Sequence, residues 1–497
     1  FKHELRTETD TARRREQDLW SVALEARMQL EAGDPQRAID FLLMRVQRFT
    51  SQGGDEDLAE LHVLLAQAYQ MVGDHAGAER YFRYAQQKLP ADSGLNADIL
   101  LGLGQLALLS TGESNVQQAL EHFAISVKNY PSEKAYIESL IGLADCESRL
   151  GADPEAIEHF GQAIEQLAEK TPSWDERRPM ATAVVRSHMG RAVDQRNYDL
   201  ALDLLTLLLP LHQPNLPADM LLDFATVHEA IAVQRKEHAA GLEQRMAAGD
   251  LTATDQARRL ANQQAAVHFT HAGDYYLRHA AAVTITDDAG HGASLWNAAA
   301  SYDRAQEWKR AIDVFAEFVE TRQNDAKRLS AIQQLGKAYL ADGQYAPAQQ
   351  LFIQLLDDHP NSPETFDSLV PLARAEIGLG RIDAAERTLL QVVTDHPAIT
   401  PESAQYQQAL VELGKLYYRL GERDADYFIQ AIERLEEAVE RYGDTNEGAT
   451  LRFLLADAYR MSVGALDQRL AERQSQNERL ALQAERGRRL EKAQMYY

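Results

Sequence analysis

A chain of 497 residues with 45% apolar and 25% charged side chains has a globular composition, yet is longer than one ordinary core sustains. Its 75 acidic against 51 basic residues leave a net charge of −24, which argues against nucleic acid or anionic lipid as the main ligand, since both require a basic surface. The single cysteine, Cys146, leaves no intramolecular disulfide and no cysteine-built zinc site; beside Leu143 and Ala144 on an apolar stripe it reads as an inert buried thiol.

Residues 1–17 are charged, carry no apolar stripe and read as a helical extension into the first unit. From Leu19 a pattern begins: Val22 and Ala26, then Gly33, then Pro35 opening a second helix with Ala38 and Leu42. Proline suits a first helical turn, where its missing N–H is not needed. The next unit has Leu65, Ala66 and Tyr69 before Gly73, then Ala78, Phe82 and Ala85 before Pro90. Residues three and four apart share a helix face, so each unit predicts two helices with facing stripes. A third unit (Leu103, Gly104, Ala119, Phe123, Pro131) and a fourth (Leu143, Ala144, Gly151, Ala156, Phe160) follow. A fifth is degenerate, with Met189, Tyr198, Ala201 and Leu205. The apolar run at 200–211 is short and carries Asp203, well under the span a membrane helix needs.

The spacing then lengthens. Phe224, Ala225 and His228 look like a first helix whose partners, Ala272 and Tyr276, arrive far later. Both flanks of the Gly249-Asp250 turn favour helix, which predicts one repeat drawn out into a projecting arm. A first helix over 218–247 would be roughly 45 Å long at 1.5 Å per residue. Ordinary units resume with Leu295, Ala299, Tyr302, Ala311 and Phe315, and recur at Leu372, Ala385 and Pro397 and at Leu413, Tyr417 and Leu435. The last unit, Leu455, Ala456 and Tyr459, again meets its partners Ala493 and Tyr497 late. That predicts a second arm, with Ser475 and Glu478 as a capping box at its turn.

The clearest unit runs from Leu329 to Pro360. Ile332, Leu335, Gly336 and Tyr339 form one stripe, Gly343 ends that helix, Ala348, Phe352 and Leu355 form the facing stripe, and Pro360 stops the second helix. Small Gly336 and Ala348 let the backbones approach, so Leu335, Tyr339, Ala348 and Phe352 are expected to be buried, and Leu65, Tyr69, Ala78 and Phe82 likewise. This spacing resembles the tetratricopeptide repeat. The resemblance extends over nearly the whole chain in about eleven units. It implies an all-α, right-handed solenoid of helix hairpins that binds partner proteins, divided as repeats over 1–217, an armed repeat over 218–284, repeats over 285–447 and a second armed repeat over 448–497. The linkers HPNSPET and HPAITPES are similar to those of bacterial cell-envelope members, which implies a periplasmic or membrane-anchored setting, with the cytoplasm as the alternative. The charged run after Phe1 resembles the juxtamembrane edge of an anchored protein; an apolar segment of about 20 residues encoded upstream would test that.

No catalytic constellation stands out along the chain. Gly102-x-Gly104-x-x-Ala107 matches a dinucleotide fingerprint by letters, but no predicted strand precedes it. His268 and His271 share a helix face near Asp274 without a fourth metal ligand, and packing or solvation explains them better. Asp287, Asp288 and His291 are assigned to a Gly-flanked loop whose chemistry is that of a turn. The expectation is therefore no enzyme, no cofactor and no metal.

In the family the first helix of each hairpin lines the concave surface. The residues two after Leu335, Leu372 and Leu413 are Lys337, Arg374 and Lys415, which stacking should place in a row. Gln333, Val370 and Val411 flank it on one side and Leu340, Ile377 and Tyr418 on the other; Trp296 joins the partner-binding set. A basic spine between apolar tiers suits protein or peptide partners, notably acidic amphipathic segments. The equivalent N-terminal positions, Gln67, Gln105 and Asp145, lack that charge. The competing readings are a structural subunit whose arms dock neighbouring copies, and the interaction region of a longer protein.

Overall fold

Helix after helix in this chain ends on a glycine or on a residue forced to imitate one. Gly33, Gly73, Gly151, Gly249, Gly343 and Gly380 all have φ between 74° and 83°, the left-handed conformation that closes a helix without a Cβ clash. At the first of them Gly33 N donates to the Leu30 carbonyl and Asp34 N to the Gln29 carbonyl, which satisfies two otherwise orphaned groups. Arg196 (φ 58°) and Gln306 (φ 64°) take the same conformation at two other hairpin turns, a less comfortable solution for a residue with a side chain.

The computed structural model describes residues 2–51, 58–110, 112–132, 134–169, 177–212, 214–395, 399–445, 447–472 and 475–497, with side chains from Arg13 onward and without that of Asp395. Among the described residues there are helices and turns and no strand. The chain forms two compact units, 1–231 and 232–497.

In the first unit the helices pair in sequence. They are α1 (Lys2–Glu31) with α2 (Pro35–Ser51), α3 (Ala59–Met71) with α4 (His75–Lys88), α5 (Leu95–Leu108) with α6 (Glu113–Asn129), α7 (Tyr136–Arg149) with α8 (Asp153–Ala168), and α9 (Arg177–Asp194) with α10 (Tyr198–Leu207). The short α11 (Leu209–His212) and the start of α12 (Ala218–Ala247) complete it. Each hairpin also packs on the next, so the core is a chain of clusters: Ala26, Leu42 and Leu61, then Ala66, Phe82 and Leu103, then Ala119, Phe123 and Cys146. Burial pushes the Cys146 thiol up to about 12.

The second unit holds the rest of α12, α13 (Asp255–Val283), α14 (Asp288–Arg304), α15 (Trp308–Thr321), α16 (Arg328–Ala341), α17 (Tyr345–Asp358), α18 (Pro363–Phe366), α19 (Leu369–Gly378), α20 (Ile382–Leu390), α21 (Ala404–Gly421), α22 (Tyr427–Tyr442), α23 (Gly448–Ala471) and α24 (Gln476–Tyr496). A π-helical turn, Gln391–Asp395, prolongs α20. Both long hairpins are present: α12 ends at Ala247 as its sequence predicts, and Ser475 and Glu478 form the reciprocal capping box that opens α24.

Some expectations need correction. Tyr69 and Tyr339 are half-buried, whereas Leu65, Ala78, Phe82, Leu335, Ala348 and Phe352 are buried. The Tyr69 ring stacks on Tyr81 at 5.4 Å. Asp287, Asp288 and His291 do not share a loop. Asp287 caps α14 by accepting from Gly290 N at 2.9 Å, and the other two lie in its first turn. Pro360 does follow the end of α17, while Pro397 lies outside the described residues.

Candidate functional site

The row expected on α16, α19 and α21 lies within the second unit. Lys337, Leu340 and Arg374 line one open pocket of about 590 Å³ with Phe366, Asp367, Val370, Pro371, Gln405 and Gln408. It forms because three successive first helices present residues at the same register, i, i+3, i+4 and i+7, toward one side. Val370 is buried and makes part of the floor with Phe366 and Pro371.

The cations in this row do not stand bare. Lys337 is half-buried; burial pushes its ammonium below the usual lysine range, and Asp367 and Asp303 on either side partly restore it. Arg374 Nη2 donates to Glu412 Oε1 at 2.9 Å, and Lys415 Nζ lies 3.9 Å from the same oxygen. Gln405 Nε2 donates to Asp367 Oδ1. The spine is therefore a ladder of alternating sign, with Asp303, Asp367 and Glu412 as its carboxylates. A pattern of periodic basic residues shows which face they share; Glu412 lies one turn from Lys415 on α21 itself, whereas Lys337 meets Asp303 and Asp367, and Arg374 meets Glu412, across neighbouring hairpins, at offsets that periodicity within one helix does not expose.

The flanking residues divide. Gln333 is buried, and its Nε2 donates to the Glu364 carbonyl at 3.0 Å, which ties α16 to α18 and takes it out of the open surface. Val411 is buried in the core below α21. Leu340 and Ile377 are half-buried. The Tyr418 hydroxyl donates to Asp457, and burial with that bond pushes it up to about 12. Asp457 also accepts from Arg460 at 2.7 Å and from the Tyr497 hydroxyl at 3.0 Å. Trp296 sits apart from the pocket, edge-on to Phe315 and Phe318, with Lys327 Nζ 5.0 Å from its ring centre.

The first unit has its own concave pocket, about 610 Å³, lined by Arg27, Glu31, Glu60, Gln67, Asp98 and Lys134 around Leu30, Val63 and Leu64. Arg27 pairs there with Glu60. Gln105 accepts from Gln70 Nε2 at 2.9 Å. Asp145 is buried: His188 Nε2 lies 2.6 Å from its Oδ1, Arg149 donates to it at 3.0 Å, and the Ser148 hydroxyl is 2.7 Å from His188 Nδ1. Burial alone would raise this carboxyl, but the bonds from His188 and Arg149 outweigh it and hold it below the usual range.

Of the residues weighed for chemistry, His271 is exposed and His268 half-buried on α13. Asp274 accepts from the Tyr302 hydroxyl at 2.9 Å and from Arg310. Gly102 and Gly104 lie against the rings of Phe82 and Phe123. Among the described residues no group of three or more His, Cys, Asp or Glu side chains is placed to hold a metal. Nor does any described helix have the length and apolarity to cross a membrane.

The fold defines an all-α protein of stacked helix hairpins. The profile of the tetratricopeptide repeat matches residues 334–397, the stretch that carries Lys337 and Arg374. A search of curated proteins found no match. Similar solved structures include nearly identical TPR-like repeats of a kinesin light chain from Podosopora anserina, at 22% identity over 40% of this chain and 95% of that one, TM-score 0.30. The APC/C hetero-tetramer Cut9-Hcn1 aligns at 12% identity over 95% of this chain and 96% of that one, TM-score 0.29. The P58(IPK) TPR domain aligns at 15% identity over 83% and 99%, TM-score 0.23.

Proposed function

We propose that this chain is a non-catalytic scaffold whose second unit captures acidic amphipathic segments of partner proteins in the pocket between α16, α19 and α21. The observation that carries this is one concave site of about 590 Å³ that joins two cations, Lys337 and Arg374, to the apolar walls of Leu340, Phe366, Val370 and Pro371. An apolar side chain would seat between Leu340 and Phe366. A neighbouring carboxylate would take Arg374, or Lys337, whose ammonium is incompletely hydrated and gains by receiving a counter-charge. Lys415, sharing Glu412 with Arg374, extends the attraction along α21.

The test uses two labelled helical peptides with one apolar pattern, one carrying Glu and the other Lys at the polar positions. The intact chain should bind the Glu peptide, more weakly as salt rises, and ignore the Lys peptide. Replacing Lys337, Arg374 and Lys415 together by Ser should abolish that binding while the helical circular dichroism stays unchanged. Equal binding of both peptides, or undiminished binding by the triple variant, sinks the reading.

A second reading makes the chain a structural subunit of a larger assembly whose arms dock neighbouring copies. It is favoured by apolar side chains left outward on the long helices: Leu260 and Val267 on α13 are 53% and 54% exposed, and Leu480 on α24 is 59% exposed.

A further inference from the structure

The last hairpin departs in charge from the chain taken as a whole. Residues 448–497 hold nine Lys and Arg against six Asp and Glu, a positive surplus inside a chain whose total is −24. With α22, this hairpin encloses a notch of about 250 Å³. Buried Ile432 and Tyr459 make its floor, Ile429 stands at its mouth, and Arg488, Arg489, Lys492 and Glu485 form its rim. Ile429 is 52% exposed, an uncovered aliphatic surface at the mouth.

The rim is held in place. Lys492 Nζ donates to Glu436 and to the Tyr459 hydroxyl, and Arg489 donates to Glu485 and to the Ser462 carbonyl. Arg488 shares Glu485 but keeps 72% side-chain exposure, so it can meet a further carboxylate. An apolar floor under a cationic rim asks for a branched aliphatic side chain followed closely by acids.

The turn between α13 and α14 supplies such a group. Ile285 is 96% exposed, and Asp287 and Asp288 follow it. Asp287 is fixed as the cap of α14, and Asp288 pairs with Arg322, so this knob is presented by an ordered turn. Leu251, at the tip of the first arm, is 95% exposed but has only Asp250 beside it.

We propose that the chain associates with a second copy of itself head to tail: Ile285 of one copy seats in the Ile429–Ile432–Tyr459 notch of the next, with Asp287 and Asp288 against Arg488. Knob and notch are different surfaces, so the contact is heterologous and leaves a free knob at one end and a free notch at the other. This goes beyond the scaffold reading and uses none of its residues.

Sedimentation velocity on the full chain, over a wide concentration series at low and moderate salt, tests it. The wild type should form dimers and longer oligomers that salt weakens. Ile285→Asn should weaken association roughly ten- to a hundredfold, the equivalent of losing one buried aliphatic side chain. Arg488→Glu combined with Ile429→Asn should do the same, and Leu251→Asn should change nothing. Mixing the knob variant with the notch variant should restore a one-to-one dimer and nothing larger, since only one intact contact then exists. A wild type that stays monomeric at every concentration overturns the proposal. So do association that survives both variants, loss with Leu251→Asn, and variants that fail to complement each other.

Discussion

Gly336 and Phe352 face each other inside the α16–α17 hairpin so closely that a Cβ on Gly336 would lie 2.6 Å from the Phe352 ring. Phe352 is fully buried and has no room to retreat. The relationship recurs where Gly104 meets Phe123 and Gly273 meets Tyr302, so helices approach at these points because one side has no side chain. Gly336→Leu should cost about 1–3 kcal/mol or more of stability, read as a lower urea midpoint. Gly464 is the control: nothing lies within 4 Å of its Cβ position, and Gly464→Ala in mid-helix should stabilise by about 0.5–1 kcal/mol.

Glu412 restrains the proposed site. It holds Arg374 at 2.9 Å and sits 3.9 Å from Lys415. Since Arg374 is 45% exposed, the pair is weak and its loss should barely move stability. Glu412→Gln should release both cations and tighten binding of the Glu peptide roughly two- to fivefold, measured by fluorescence anisotropy. Weaker binding would mean that Glu412 orients Arg374 for its ligand.

Asp145 should be the most costly polar residue to lose in the first unit. Its carboxylate is the counter-charge for Arg149 and the partner of buried His188. Asp145→Asn should therefore cost about 3 kcal/mol at neutral pH. Because the folded carboxyl is held below its unfolded value, this contribution is complete above pH ~4 and fades as pH falls through the folded value. Urea midpoints of wild type and variant should thus converge on acidification. A gap that stays constant down to pH ~2 would assign the effect to packing instead.

The first arm should be removable. Lys236 Nζ donates to Asn262 Oδ1 at 2.9 Å across it, so the two helices can be joined there by a short turn. The cut must stay outside Ala232, Ala265 and Phe269, which share a buried cluster with Ala305 at the arm's base. A chain lacking 237–261 should keep its helical spectrum and one cooperative transition. A deletion extended through 232 and 269 should lose stability, because it opens that cluster.

What the sequence determined by itself is the helical register. Periodic Leu, Gly, Ala and Phe positions, glycine stops and proline starts locate the hairpins, and the delayed partners of Phe224 and Tyr459 announce both long arms. This information is local: a 3.6-residue period fixes which side chains share a face whatever the neighbours do. It also puts Lys337 and Arg374 on one side of their helices, where the structure finds a shared pocket. Only the tertiary structure decided what each polar side chain meets. Gln333 reads as surface and is buried against the Glu364 carbonyl, Asp145 reads as a groove position and is closed by His188, and Arg374, placed in the row by its period, meets Glu412. Those partners stand 31 to 43 residues away along the chain. They meet because consecutive hairpins stack, and the offset between stacked helices depends on the size of the buried side chains between them rather than on any period in the sequence.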